Sequence, residues 1–139
     1  MQGLLTDVNV QGYLPAIRRY IEAAYPNALT IYNIRLVTFP DIGIPETLDD
    51  RALWRKCQSD GWVLLTENRN HEDDSSLQAT LEELWKAGDL PVLTLANKDR
   101  FRLKRDYFNL VVEDVLELLI DIQELKCRDQ SRIYVPREL

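Results

Sequence analysis

Of the eight residues from Glu67 to Asp74, six can offer an oxygen to a cation: Glu67, Asn68, Asn70, Glu72, Asp73 and Asp74. They follow directly on the apolar run Trp62-Val63-Leu64-Leu65 and Thr66. A second acidic point, Asp7, interrupts another apolar run that begins at Leu4-Leu5, and a third is the pair Asp49-Asp50. Carboxylates held close together repel each other, and a divalent cation is the usual reason to gather them. Mg²⁺ and Mn²⁺ prefer oxygen ligands and keep several waters, one of which can become a nucleophile against a phosphodiester. Other chemistries have little to stand on. The chain has no glycine-rich phosphate loop, no Gly-x-Ser-x-Gly elbow and no Cys-x-x-Cys. Its one histidine, His71, lies in the polar loop and reads as solvated.

Each acidic point also has a bland reading. Asp7 can be a turn residue that accepts backbone N–H groups, since a carboxylate in an apolar run is costly unless paired, hydrogen-bonded or metal-bound. Asp49 and Asp50 stand where a helix starts, and acids there are favoured by the helix dipole alone. The segment Lys98–Arg105 carries five basic residues in eight. It reads either as a solvated helix face or as a contact for a nucleic-acid backbone.

The elements that must position these residues alternate between strand and helix. Leu4-Leu5 opens a strand at the start of the chain. A helix over Gly12–Ala24 places Leu14, Ile17, Ile21 and Ala24 on one face, with Pro15 in its first turn and Pro26-Asn27 as its stop. Leu29–Val37 is rich in β-branched and aromatic residues and predicts a strand, irregular around Asn33. Thr38–Glu46, with Pro40, Gly43 and Pro45, predicts a loop long enough to form a rim or lid. Thr47-Leu48-Asp49-Asp50 starts a short helix in capping-box form, with Ala52, Leu53, Trp54 and Cys57 on its buried face and Gly61 at its end. The central strand, Trp62–Leu65, reads as buried on both faces. Beyond the acidic loop, Ser75 or Ser76 caps a helix carrying Leu77, Leu81, Leu84 and Trp85. Val92–Ala96 is another buried strand. A long helical region with Phe108, Val111, Val115, Leu118, Leu119, Ile122 and Leu125 on one stripe follows, and Ile133–Val135 is a last edge strand. This order predicts an α/β fold, a three-layer α/β/α sandwich with a mostly parallel central sheet. In such a sheet the ends of the first and central strands lie along one edge, so Asp7 and the Glu67–Asp74 loop can converge.

Composition sets the frame. The chain has 139 residues, 45% of them apolar and 29% charged, and a net charge of −6. That fits one domain spanning residues 1–139, burying about two-thirds of its unfolded surface. The acidic balance argues against a general nucleic-acid coat but leaves room for a local basic patch. Cys57 and Cys127 fit no metal spacing and suggest a reducing cytoplasm. No signal peptide and no apolar stretch of membrane-spanning length is visible, so no membrane partner is expected.

The motifs Leu4-Leu5-Thr6-Asp7-Val8-Asn9-Val10, Asp49-Asp50-Arg51-Ala52-Leu53 and Gly61-Trp62-Val63-Leu64-Leu65-Thr66-Glu67-Asn68 resemble those of the PIN-like proteins. These are small α/β domains related to the ribonuclease toxins of bacterial toxin–antitoxin pairs. The resemblance covers about the first hundred residues, and each motif is short. It implies a PIN-like fold and an endoribonuclease that uses Mg²⁺ or Mn²⁺. Asp7, Asp49 or Asp50, and Asp74 would be the catalytic acids, and Asp7, Asp50, Glu67, Asn68 and Asp74 the metal ligands. Asn9, Thr66, Asn68, Arg69, Arg100 and Arg102 would contact the substrate. RNA, an antitoxin-like protein and a second copy of the chain are the partners it implies, in the cytoplasm.

One departure matters. The family usually has an aspartate two residues after the threonine, where this chain has Asn68. An amide oxygen can coordinate a cation but brings no charge, so metal affinity should fall unless Glu67 or Asp74 compensates. The leading expectation is therefore a metal-dependent ribonuclease. A PIN-like binding or regulatory module that has lost catalysis is the alternative, and a phosphatase-like or nucleotide-binding α/β domain is a third reading of the same edge.

Overall fold

The computed structural model describes residues 3–67 and 77–137. Five strands, β1 (Gly3–Thr6), β2 (Arg35–Val37), β3 (Trp62–Thr66), β4 (Val92–Leu95) and β5 (Arg132–Val135), form one sheet in the order β2-β1-β3-β4-β5. Every pairing is parallel. Parallel neighbours need long crossovers, and here the crossovers are helical: α1 (Leu14–Ala24), α2 (Ala28–Ile31), α3 (Asp50–Asp60), α4 (Leu77–Leu84), α5 (Lys98–Leu103), α6 (Arg105–Ile120) and α7 (Ile122–Cys127).

The sheet is covered on both sides, which explains why its three inner strands, β1, β3 and β4, are buried along their whole length. Alternate residues serve two separate cores. Leu4, Leu36, Val63, Leu65, Leu93, Leu95 and Ile133 meet the buried stripes of α1 and α6. Leu5, Val37, Trp62, Leu64 and Val92 meet Leu53, Trp54 and Cys57 of α3 and Leu77 and Leu81 of α4. The expected three-layer α/β/α sandwich is the fold, and its sheet is wholly rather than mostly parallel among the described residues.

One sequence expectation is corrected and another is sharpened. Leu29–Val37 is not one strand. Asn27 and Asn33 both adopt left-handed backbone conformations, with φ of 70° and 53°. Between them Ala28–Ile31 makes a single helical turn, leaving only Arg35–Val37 to pair. The chain must reverse after α1 to run parallel with β1, and two asparagines tolerate that geometry better than branched residues do. The Thr38–Glu46 loop contains a short 3-10 turn at Pro40–Ile42, and Phe39 and Ile44 are buried in the α3–α4 core. Those anchors tie the segment to the body of the fold, so it is not a free lid.

The two cysteines should separate cleanly. Cys57 is 3% exposed, and burial, with the negative charges of Asp60 and Asp7 adding to it, pushes its thiol from the usual 9.0 up to about 12. Between those values the folded protein keeps a proton that the unfolded chain releases. The corresponding stability is therefore complete below about pH 9 and is lost as pH rises towards 12. At neutral pH a thiol reagent should label exposed Cys127 at once and Cys57 only on unfolding. In Cys57→Ala, melting followed from pH 8 to 11 should fall less steeply than in wild type; a parallel decline would contradict the assignment.

Candidate active site at the sheet switch point

Chain order decides where a site can form. From β1 the chain passes through α1 to β2 on one side, then returns through α3 to β3 on the other side of β1. The crevice outside the carboxyl ends of β1 and β3 is thus the point where the winding reverses, the usual ligand position in an open α/β sheet. Thr6 and Asp7 end one strand there, and Thr66 and Glu67 end the other.

Asp7 is fixed from both directions. Its N–H donates to the Leu65 carbonyl across the strands at 3.0 Å. Its own carbonyl accepts from the N–H groups of Val10 and Gln11 at 2.9 and 2.8 Å, closing the turn that leads into α1. The side chain then divides its work. Oδ1 accepts the Val8 N–H at 2.7 Å, which is the turn role, while Oδ2 accepts the Thr66 hydroxyl at 2.7 Å. An ionised carboxylate has room for about four acceptor contacts, so these two leave capacity for a further ligand. Asp7 is half-buried, and Thr66 is fully buried. Thr6 and Thr94 are fully buried as well. Thr6 donates to the Val37 carbonyl at 3.3 Å, and Thr94 accepts from Arg132. Each of these three hydroxyls therefore has a partner.

Glu67 is held differently. Its carboxylate forms an ion pair with Arg102 of α5, and its side chain is only 13% exposed. A pair sheltered to this extent is screened less than one in open solvent. Arg100, two residues earlier, lies over the Tyr107 ring at 4.4 Å. Two of the arginines expected at the substrate thus already have protein partners. Asn9 is exposed in the turn just beyond Asp7.

Asp49 and Asp50 have different local roles. Asp49 is the N-cap of α3, with extended backbone and Oδ1 accepting the Ala52 N–H at 2.8 Å. A cap of this kind is worth about 1 kcal/mol. Asp50 sits half-buried in the first helical turn. Asn68, Arg69 and Asp74 lie outside the described residues, as does His71. Among the described residues no three carboxylate, histidine or cysteine side chains come together to hold a metal. The structure thus brings Asp7 and Thr66 into contact and sets Glu67 at the end of the neighbouring strand, but does not gather Asp7, Asp50 and Glu67 into one group. The donor set still suits Mg²⁺ or Mn²⁺, because such ions are commonly held through one or two carboxylates with waters completing the shell.

The Glu67–Arg102 pair had no signal in the sequence, since its members are 35 positions apart. The partners of Arg102 and Arg100 were hidden for the same reason. No protein-family model matches the chain, and neither a curated protein nor a solved structure matches it. The PIN-like resemblance therefore rests on its three short motifs.

Proposed function

We propose that the chain is a metal-dependent ribonuclease of the PIN-like kind, hydrolysing RNA phosphodiester bonds at the β1–β3 switch point. The observation that carries this reading is Asp7, a half-buried carboxylate at the end of a central strand whose Oδ2 is oriented by the buried Thr66 hydroxyl. A bound Mg²⁺ or Mn²⁺ would supply Lewis-acid activation of water and neutralise charge on the phosphate. Asp7 would hold it, with waters completing the shell and with Asn68 and Asp74, which lie outside the described residues, as further oxygen donors. The Thr66 hydroxyl, which donates to Asp7 Oδ2, would orient that carboxylate towards the ion. Arg100, Arg102 and Lys104 would meet the RNA backbone. Toxin-type regulation by an antitoxin-like protein, a homodimer and a cytoplasmic setting belong to the same proposal. Among the described residues no helix is long and apolar enough to cross a membrane.

A specific observation favours the second reading, a PIN-like module that binds without cutting. Glu67 is neutralised by Arg102, Asp49 is used as a cap, and Asn68 is uncharged. The test is cleavage of single-stranded RNA with Mn²⁺, stopped by chelator, for wild type and for Asn68→Asp. The ribonuclease reading expects chelator-sensitive cleavage that Asn68→Asp maintains or raises. RNA binding without cleavage in either protein supports the module, and cleavage that persists in chelator points to a contaminant.

A further inference from the structure

The strands sort the polar residues of the switch point by face. Leu5, Leu64 and Val92 enter the α3–α4 core, and a residue two positions further along each strand shares that face. Those residues are Asp7, Thr66 and Thr94. Thr66 pairs with Thr94 in register, and Asp7, one residue beyond the Thr6–Leu65 pair, stands level with Thr66. Three neighbouring strands thus carry a polar row across the carboxyl end of the sheet.

Arg132 closes the row. It pairs with Val92 at the start of β5, on the same face, and its long side chain reaches forward to the next level. There Nη1 donates to the Thr94 hydroxyl, and Nε donates to the Gln78 side-chain oxygen at 3.1 Å. Gln78 belongs to the first turn of α4, so the guanidinium sits between sheet and helix. Arg132 is half-buried, and both of these acceptors are neutral. Neighbouring strands lie about 4.8 Å apart, so roughly 10 Å separates Asp7 from Thr94. A carboxylate at one end of the row and a guanidinium at the other leave room for a phosphate between them. Arg102, by contrast, is engaged by Glu67, and Phe101 beside it belongs to the α1–α6 core on the other face.

We propose that Arg132 is a phosphate-binding residue of the candidate site, holding an RNA phosphate on the α4 side of Asp7. The inference rests on the reading of the switch point as an RNA site and adds a contact to it. A phosphate oxygen would replace the Gln78 oxygen at Nε, because a charge-assisted hydrogen bond is about twice as strong as a neutral one. Gln78 can yield, since its amide nitrogen already donates to Glu82 at 3.2 Å on the exposed side of α4. The bond from Nη1 to Thr94 would keep the guanidinium in place against the sheet.

The test uses the full chain in chelator, so that binding is read without cleavage. A labelled single-stranded oligouridine is the probe, titrated at several salt concentrations. The Nε–H signal of Arg132 is followed by NMR in the isotope-labelled protein. The proposal expects that signal to shift saturably as oligouridine binds. Arg132→Gln should bind roughly tenfold more weakly, with a salt dependence shallower by about one counterion. Arg132→Lys keeps the charge but not the planar fork, so it should keep the salt slope and lose only part of the affinity. An Nε–H signal that stays in place while oligouridine binds would overturn the inference and leave the RNA reading standing. No binding at all would overturn both. An unchanged salt slope in folded Arg132→Gln would overturn it too, and if that variant does not fold, the wild-type signal decides. A shifted signal in a protein that never cleaves with Mn²⁺ would sustain the contact and make the chain a binding module.

Discussion

Asp7→Asn should reduce Mn²⁺-dependent RNA cleavage roughly 10²–10³-fold, the loss typical when one preorganised group that stabilises developing charge is removed. The same substitution should cost little stability. The asparagine oxygen can still accept the Val8 N–H that Oδ1 accepts now. The Thr66 hydroxyl can rotate to accept from the new amide rather than donate to Oδ2. One hydrogen bond exchanged for another keeps the expected cost near 1 kcal/mol. Activity per folded molecule, with the folded fraction fixed by melting curves, separates the two effects. Thr66→Val then asks whether the hydroxyl acts through Asp7. It removes the donor at similar volume and should lower metal affinity or cleavage about 10–100-fold, as loss of a ligand's orienting partner commonly does. If Asp7→Asn costs several kcal/mol while the surviving folded protein cleaves normally, Asp7 is a turn residue and nothing more.

Phe101→Ala should be the most damaging single change to the fold of the basic segment, costing about 3–5 kcal/mol. Phe101 is 2% exposed and touches Tyr13, the residue just before α1, on one side and Phe108 from α6 on the other. It is the buried residue of a helix only six residues long, so it fixes α5 to the body of the protein. With about 3–5 °C lost per kcal/mol in a chain of this size, melting should fall by more than about 10 °C. The loss should reach the site, because Arg102 follows Phe101 directly and holds Glu67. A melting shift of only a degree or two would mean that α5 is positioned by its backbone contacts instead.

The parts of the fold that sequence reveals are those where burial acts on short range. β1, β3 and β4 are apolar apart from one buried threonine each because both faces of the sheet are covered, and an apolar run as short as Trp62–Leu65 suits a buried strand better than a helix. α1 and α6 show their buried stripes at helical spacing. β2 was obscured because Leu29–Ile34 has strand-like residues that the reversal after α1 bends into a helical turn. Tertiary need outweighs propensity there. The same division holds at the site. A lone aspartate closing an apolar strand is conspicuous, so Asp7 could be singled out and so could the neighbouring strand end at Thr66. Asp49 and Asp50 could not be told apart, because the cap is chosen by the extended backbone at Asp49 and not by residue type. The engagement of Glu67 by Arg102 depends on how α5 packs at the end of β4, which no local pattern encodes.

The most direct measurement is a Mn²⁺ titration of the isotope-labelled protein, following paramagnetic broadening of its backbone amide signals without any RNA. If a cation binds at the switch point through Asp7, the signals of Leu5 to Val8 and of Leu65 to Glu67 should broaden first and saturably. In Asp7→Asn that broadening should vanish while the rest of the spectrum stays in place. Broadening that begins elsewhere, or that survives Asp7→Asn at the same Mn²⁺ concentration, would contradict a metal centre at the end of β1 and with it the ribonuclease proposal.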